Sequence, residues 1–181
     1  MRPVPHRRSL YILKLSGLRD PFFDVFNQPS PESSCELRST STVAPQAFTL
    51  FNAEASYRRA LALATSVREA TKSQDGAIRE VFLRTLGRSP TDAELQACSA
   101  HWKAMTARHG KLRFERAVSL KEVDREAVEE NTGEKFRYVE PLEMAADFVA
   151  DLAPADCTAE GRGLAEVCLV LFNANEFLTV E

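Results

Sequence analysis

A pair of helices joined by a four-residue turn constrains the fold of this chain more than any other segment. Apolar residues recur at helical spacing over residues 75–86, and Gly87 follows, a residue type that accepts the left-handed conformation at a helix end. Thr91-Asp-Ala-Glu94 then forms a capping box, in which the Thr hydroxyl accepts a backbone N–H and the Glu side chain reaches back. This order of signals predicts a helical hairpin whose second helix continues to residue 108.

Apolar residues follow helical spacing in other parts of the chain as well. Further helices are predicted over residues 45–51, 53–71, 142–152 and 159–173. A Ser or Thr is expected to cap the first of these helices, with Pro45 in its first turn, and Pro141 is expected to start the third. The last of these is the most apolar, and it is expected to bury Leu164, Val167, Cys168, Leu171 and Phe172. The predicted fold class is therefore all-α, an irregular bundle of about five to six helices around a central helical hairpin.

The N-terminal region has a different character, because five of the nine prolines precede Ala44 and no long helical period is present. We predict an extended, Pro-rich N-terminal arm over residues 1–45, with one short strand over residues 10–15. The 181 residues are expected to form a single domain. Its helical core with the hairpin covers residues 46–110, a charged linker or exposed helix covers 111–140, and C-terminal helices cover 141–181.

Composition excludes several classes of function. The formal net charge of −3 provides no general attraction to nucleic acid, so no nucleic-acid partner is predicted. No apolar run approaches the length of a membrane span, and the run over residues 10–15 is too short for the core of a signal peptide. The chain is therefore expected to lack both elements.

Residues that could carry chemistry are isolated from one another. Cys98 and His101 lie three positions apart, but no second pair of metal ligands follows, so no metal site is predicted. The glycines form no phosphate-binding loop, and the four cysteines form no Cys-X-X-Cys pair. No cofactor and no catalytic residue is assigned. Cys35 and Cys157, in predicted loops, are free to pair only in an oxidising compartment.

The C-terminal ending contains polar residues that an ordinary helix does not need. Asn173 and Asn175 are expected to fold back onto the helix end, with an Asn in the left-handed cap conformation. Glu176 is expected to pair with Arg7 or Arg8 of the basic N-terminal arm. The ending is interpreted as a latch that closes the last helix onto the arm, and a ligand or partner site is the alternative.

Four segments together resemble one family. They are Pro5-His-Arg-Arg-Ser-Leu-Tyr11, the run from Ser41 to Asn52, the hairpin from Ile78 to Leu95, and Leu171-Phe-Asn-Ala-Asn-Glu-Phe-Leu178. In this order they resemble the planctomycete-type family known as domain of unknown function 1553, which is often found with planctomycete cytochrome c domains. Phe26-Asn27 stands where relatives commonly show Phe-Asp.

The resemblance implies that this chain is the C-terminal part of a larger family domain. It also implies an exported or envelope-associated context, although localisation stays unassigned. The implied partners are the N-terminal half of the family domain or a separate haem-bearing protein. The motif positions that transfer as candidate interface or latch residues are His6, Arg7, Arg8, Gln46, Asn173, Asn175 and Glu176.

Two functions follow as expectations. The first is a non-catalytic helical module that mediates packing or partner interaction, which predicts an exposed apolar patch along the N-terminal arm. The alternative is a truncated part of an enzyme in an exported polysaccharide-degrading system, which requires His6 and Glu176 to lie in one cleft.

Overall fold

The computed structural model describes residues 19–30, 32, 34–37, 43–116, 120–142 and 151–179. The chain divides into two compact units. The larger unit comprises Arg7–Phe114 and Leu152–Glu181, and the smaller one comprises Met1–His6 and Glu115–Asp151. All of the described helices belong to the larger unit, and a two-stranded sheet belongs to the smaller one.

The described part of the larger unit contains seven α-helices. They are α1 (Pro21–Asp24), α2 (Ala44–Asn52), α3 (Glu54–Ala70), α4 (Gln74–Leu86), α5 (Asp92–His109), α6 (Ala159–Phe172) and α7 (Asn175–Leu178). A 3₁₀ turn over Pro154–Asp156 precedes α6. The helices predicted around residues 45–51, 53–71, 75–86, 91–108 and 159–173 are thus confirmed, whereas α1 and α7 were not predicted.

The central hairpin is formed by α4 and α5, as the sequence predicts. Gly87 ends α4 with φ of 71°, in the left-handed region that glycine enters without the steric cost of a Cβ. Thr91 caps α5: its hydroxyl accepts the Glu94 N–H at 3.3 Å, while the Glu94 carboxylate accepts the Thr91 N–H at 2.7 Å. Both helix ends therefore have their free backbone groups satisfied locally, which fixes the position of the turn.

The start of α2 differs from the expected Ser or Thr cap. Val43 is the N-cap residue, and the Gln46 carboxamide oxygen accepts its N–H at 3.4 Å. Pro45 lies in the first turn, as predicted, where a missing backbone donor carries no cost.

Helix α6 forms the centre of the hydrophobic core, because it packs against both α3 and α5. The buried residues contributed by α6 are Leu164, Ala165, Val167, Cys168, Leu169 and Leu171. The opposing core residues include Leu61 and Val67 of α3, Ile78 and Phe82 of α4, and Trp102 of α5. Trp102 also donates its indole N–H to the Glu160 carbonyl at 2.9 Å, so its one polar atom is satisfied.

The close approach of α5 and α6 depends on Gly163. A Cβ at this position would lie 2.9 Å from the backbone nitrogen of Thr106 and 3.0 Å from Cδ1 of Trp102. Real Cβ atoms essentially never come that close to a backbone atom, so the helices would have to move apart. The glycine therefore sets the distance between the two helices.

The smaller unit corrects the prediction for residues 111–140. This region was expected to be a charged linker or an exposed helix, but β1 (Glu122–Val128) and β2 (Lys135–Pro141) pair there as an antiparallel hairpin. The fold is therefore mostly helical and not all-α. The strands expose charges on both faces, with ion pairs such as Arg125–Glu140 at 2.7 Å, and the alternation of apolar and polar residues is confined to the short run Phe136-Arg-Tyr138.

Two further expectations need correction or fall outside the described residues. The N-terminal region is not extended throughout its described part, because α1 forms within it after an Asp20 cap that accepts the Phe22 N–H at 2.8 Å. Pro141 ends β2 and does not begin a helix. The strand predicted over residues 10–15 and most of the helix predicted over 142–152 lie outside the described residues.

We predict that Gly163→Ala lowers the free energy of unfolding by about 1–3 kcal/mol, the usual cost of overpacking a core. Gly161→Ala in the same helix is the matched control, because its Cβ would meet only Thr158 Oγ1 at 3.4 Å and Cys157 Cβ at 3.9 Å. Since alanine favours helix over glycine, the control should be neutral or stabilised. Urea unfolding measures both, and equal midpoints for the two variants would contradict the proposed close approach.

Candidate interaction site

A cluster of charged residues connects the hairpin turn to the C-terminal helix α7. We call it the Arg88 clasp, and it consists of Arg88, Glu94 and Glu176. Arg88 donates to both carboxylate oxygens of Glu176, from Nε at 2.7 Å and from Nη2 at 2.9 Å. It also donates to both oxygens of Glu94, from Nη1 at 3.0 Å and from Nη2 at 2.7 Å.

The position of Arg88 follows from the local sequence around it. Gly87 turns the chain at the end of α4, so the next side chain lies over the Phe82 ring, with 5.5 Å between the guanidinium carbon and the ring centroid. Glu94 is already held by its capping bonds to Thr91. The guanidinium therefore meets a preoriented carboxylate on one side, and its planar fork is left to bind Glu176 on the other.

These contacts shift the protonation equilibria of the clasp. The hydrogen bonds from Arg88, followed by those from Thr91, lower the pKa of Glu94 to about 2. The same guanidinium lowers the pKa of Glu176, and hydrogen bonding to the two carboxylates raises the pKa of Arg88. All three groups are thus charged at neutral pH.

Beside the clasp, aromatic side chains line a cavity of about 460 Å³, which we call the aromatic groove. It involves α1, the α2–α3 region, the end of α6 and α7. Its lining residues are Asp20, Phe22, Phe23, Leu50, Ala55, Ser56, Arg59, Phe172, Asn173, Phe177 and Leu178. Phe172 and Phe177 have their ring centroids 5.3 Å apart, and the exposed fractions of Phe177 and Leu178 are 42% and 47%.

Three of the four polar residues that line the aromatic groove are hydrogen-bonded to the neighbouring backbone. Asp20 accepts the Phe22 N–H, Asn173 donates from Nδ2 to the Leu169 carbonyl at 2.8 Å, and Arg59 donates to the Ala55 carbonyl at 3.3 Å. The groove therefore offers a partner mainly apolar contact area.

Four of the predicted interface residues lie in the described part of the structure, and three lie outside it. Gln46 donates from Nε2 to the Val25 carbonyl at 3.2 Å, which attaches the segment after α1 to α2. Asn173 lines the groove, Asn175 begins α7, and Glu176 belongs to the clasp. These three and Gln46 therefore lie in or beside one region of the larger unit. His6, Arg7 and Arg8 lie outside the described residues, so the predicted pairing of Glu176 with Arg7 or Arg8 stays a prediction.

Two details of the predicted latch are changed. Asn173 is the C-cap of α6 but has φ of −103°, so the expected left-handed Asn cap is wrong. Among the described residues, Asn27 is the non-glycine residue with positive φ, at 55°. Asn tolerates this conformation well, which explains the residue at this turn in backbone terms.

Sequence reasoning missed Arg88, the residue that contacts Glu176. The Gly-Arg-Ser-Pro turn was recognised only as a turn, although an Arg six residues before a capping Glu is a visible signal for the Arg88–Glu94 pair. No local pattern connects Arg88 to a residue that is 88 positions away.

The four cysteines are free thiols. Cys168 is buried, as predicted, and Cys98 is partly buried, and desolvation raises the pKa of both. The described residues contain no group of three or more His, Cys, Asp or Glu side chains that could hold a metal ion. Within the same residues, no helix combines the length and apolar character needed to cross a membrane.

The fold and the site define a small, mostly helical module with a solvent-accessible aromatic groove and no recognised catalytic constellation in its described part. Residues 2–102 match the family described as PSD1: Protein of unknown function (DUF1553). The chain belongs to this family, which confirms the family resemblance found in the sequence. No curated protein and no solved structure matches the chain.

We predict that Arg88→Lys lowers the melting temperature and increases hydrogen exchange in α7, because a lysine cannot bind two carboxylates through a planar fork. Arg125→Lys is the control, since Arg125 makes an ordinary exposed pair with Glu140 at 2.7 Å. Thermal unfolding and exchange mass spectrometry provide the two readouts. Unchanged exchange in α7 would show that the clasp does not hold this helix.

The clasp also predicts a pH dependence. Because the pKa of Glu94 is lowered from 4.5 to about 2, its ionised form stabilises the fold above pH 4.5, and this contribution is lost as the pH falls toward 2. Wild type should therefore be more stable than Glu94→Gln at pH 6, and the difference should shrink between pH 4.5 and 2. Denaturant unfolding across this range measures the difference, and a constant difference would contradict the pKa assignment.

Proposed function

We propose that this chain is a non-catalytic interaction module that binds an apolar segment of another polypeptide in the aromatic groove. The observation that carries the proposal is the groove itself, about 460 Å³ in volume and lined by four phenylalanines from three helices. Protein surfaces that keep large aromatic residues exposed together commonly serve as binding sites.

The chemistry of the groove favours a polypeptide with aliphatic or aromatic side chains. Asp20, Arg59 and Asn173 already bind backbone groups of this chain. A charged or strongly polar ligand would lose its hydration and gain few hydrogen bonds in return. An apolar segment loses little on transfer and gains the burial of Phe177 and Leu178.

The clasp gives the groove a defined wall. Phe177 and Leu178 belong to α7, a helix of four residues that is too short to be stable alone. Glu176 binds Arg88 from this same helix, so the ion pairs hold the two apolar side chains where they line the groove. The residues of the C-terminal ending that resemble the family thus hold the wall of the groove in place, and no catalytic role is proposed for them.

We further propose that the chain acts as one module of a larger, exported or envelope-associated protein. Its partner would be another part of the family domain or a separate haem-bearing protein. What supports this is the family membership together with the apolar groove, and the groove accepts either partner through the same kind of contact.

The enzymatic alternative receives less support from the geometry. It requires Glu176 as an acid or base, but both of its carboxylate oxygens accept hydrogen bonds from Arg88, and its pKa is lowered. A carboxylate in this state is a poor proton carrier near neutral pH.

Site-specific cross-linking in the source cells tests the interaction. We would replace Phe177 or Phe48, which has an exposed fraction of 68%, with the photoreactive residue p-benzoylphenylalanine. Irradiation should yield one discrete cross-linked product from position 177, and mass spectrometry should place the cross-link on aliphatic or aromatic residues of a partner segment. Position 48, on α2 but outside the lining residues, reports how far the interface extends.

Leu83 is the matched control, because it is an exposed apolar residue of α4, with an exposed fraction of 57%, that does not line the groove. The proposal fails if position 177 gives no product, or if position 83 gives the same product with the same yield.

A further inference from the structure

A second cavity in the helical unit contains polar groups that the proposed interaction does not use. Its volume is about 350 Å³, within the range of roughly 300–1,000 Å³ that is usual for small-molecule sites. Its polar lining includes Tyr57, His109 and Glu166, with Arg108 at the rim, and apolar side chains complete the walls. We call it the His109 cavity.

The central polar feature of this cavity is a pair formed by α5 and α6. The His109 side chain is only 8% exposed, and its Nε2 lies 3.0 Å from Glu166 Oε1. A carboxylate only accepts, so Nε2 carries the proton of this hydrogen bond. Nδ1 accepts a hydrogen bond when the ring is neutral and donates one when the ring is protonated, and a hydroxyl group can satisfy either form. Nδ1 is buried and has no hydrogen-bond partner in the structure.

Tyr57 of α3, which also lines the cavity, has a second unpartnered polar atom. Its hydroxyl oxygen is buried without a hydrogen-bond partner, although the ring packs against the hydrophobic core. Burial, assisted by the negative charge of Glu166, raises the pKa of Tyr57 to about 12, so its hydroxyl stays protonated and is a donor. Two buried polar atoms that both lack partners are costly, and they need an explanation.

Arg108 supplies a positive charge at the rim. It is exposed, and within the described residues its guanidinium forms neither an ion pair nor a hydrogen bond. Phe51, Leu112 and Phe114 provide the apolar walls, with Phe114 held between the His109 ring at 6.0 Å and the Arg162 guanidinium at 4.7 Å. An arginine, two residues with unpartnered polar atoms and apolar side chains thus line one cavity.

We propose that the His109 cavity binds a small aromatic carboxylate that carries a ring hydroxyl. The ring packs on Phe51 and Phe114, the carboxylate pairs with Arg108, and the hydroxyl hydrogen-bonds with Tyr57 and His109. Arg–carboxylate pairing and aromatic packing are the usual sources of affinity for such a compound. This inference is independent of the aromatic groove, since the two cavities share no lining residue.

Titration calorimetry with 4-hydroxybenzoate tests the site, with phenol and benzoate as probes that each lack one polar group. A compound of this size in a partly open site should bind with a dissociation constant on the order of 1 mM. 4-Hydroxybenzoate should bind more tightly than either probe. Absence of measurable binding, or equal binding of all three compounds, would overturn the proposal.

Tyr57→Phe provides the residue-level test. Because the hydroxyl has no partner within the protein, its removal should not lower the melting temperature, yet it should weaken 4-hydroxybenzoate binding about threefold to tenfold. Benzoate binding should stay unchanged. Tyr138→Phe, at an exposed tyrosine of the β-hairpin, is the matched control and should leave the affinity for 4-hydroxybenzoate unchanged.

Arg108→Gln separates the carboxylate contact from the rest of the site. This variant should lower the affinity for 4-hydroxybenzoate to that for phenol, because the charge-assisted pair is lost while the ring contacts remain. If Tyr57→Phe and Arg108→Gln both retain wild-type affinity, then the compound binds elsewhere and the assignment is wrong.

Discussion

The packing of α6 against α3 and α5 is the constraint on which the remaining features depend. Most of α6 is buried, and Gly163 lets its backbone approach Thr106 and Trp102 closely. This placement directs Glu166 toward His109 on one face and ends the helix at Phe172, in the aromatic groove. The core and both cavities are therefore parts of one packing arrangement.

Arg88 connects the capped start of α5 to the distant helix α7. Glu94 first acts within its own helix, where it caps the backbone at Thr91. Because the cap already fixes this carboxylate, Glu94 loses little further side-chain freedom when it binds Arg88. The guanidinium also donates to Glu176. The Glu94 side chain that caps α5 thereby also helps to hold α7, through Arg88.

The two cavities differ in how their polar groups are satisfied, and this difference separates their proposed roles. In the aromatic groove the side chains of Asp20, Arg59 and Asn173 bind the backbone, which leaves a mainly apolar surface suited to a polypeptide segment. In the His109 cavity Tyr57 and His109 each keep a buried polar atom without a partner. Unsatisfied groups of this kind suit a compact ligand that brings its own hydrogen-bonding groups.

The prediction of the larger unit from sequence was accurate where the signals are local. The caps at Gly87 and Thr91 depend on residues within four positions, so the hairpin and the extent of α3 to α6 were visible in the pattern. The β-hairpin was missed because its strands carry charges on both faces. The turn between the two strands did contain a sequence signal, Gly133, and this glycine adopts φ of 74° in the structure.

The sequence alone determined the helices of the core, their ends, the family and the importance of the C-terminal ending, because each of these depends on residues that are close in the chain. Only the tertiary structure decided that Glu176 binds Arg88, that phenylalanines from α1, α6 and α7 share one groove, and that Tyr57 lines the same cavity as the His109–Glu166 pair. These contacts join residues that are tens of positions apart. Their geometry depends on how the helices pack, and no short pattern of residues encodes that packing.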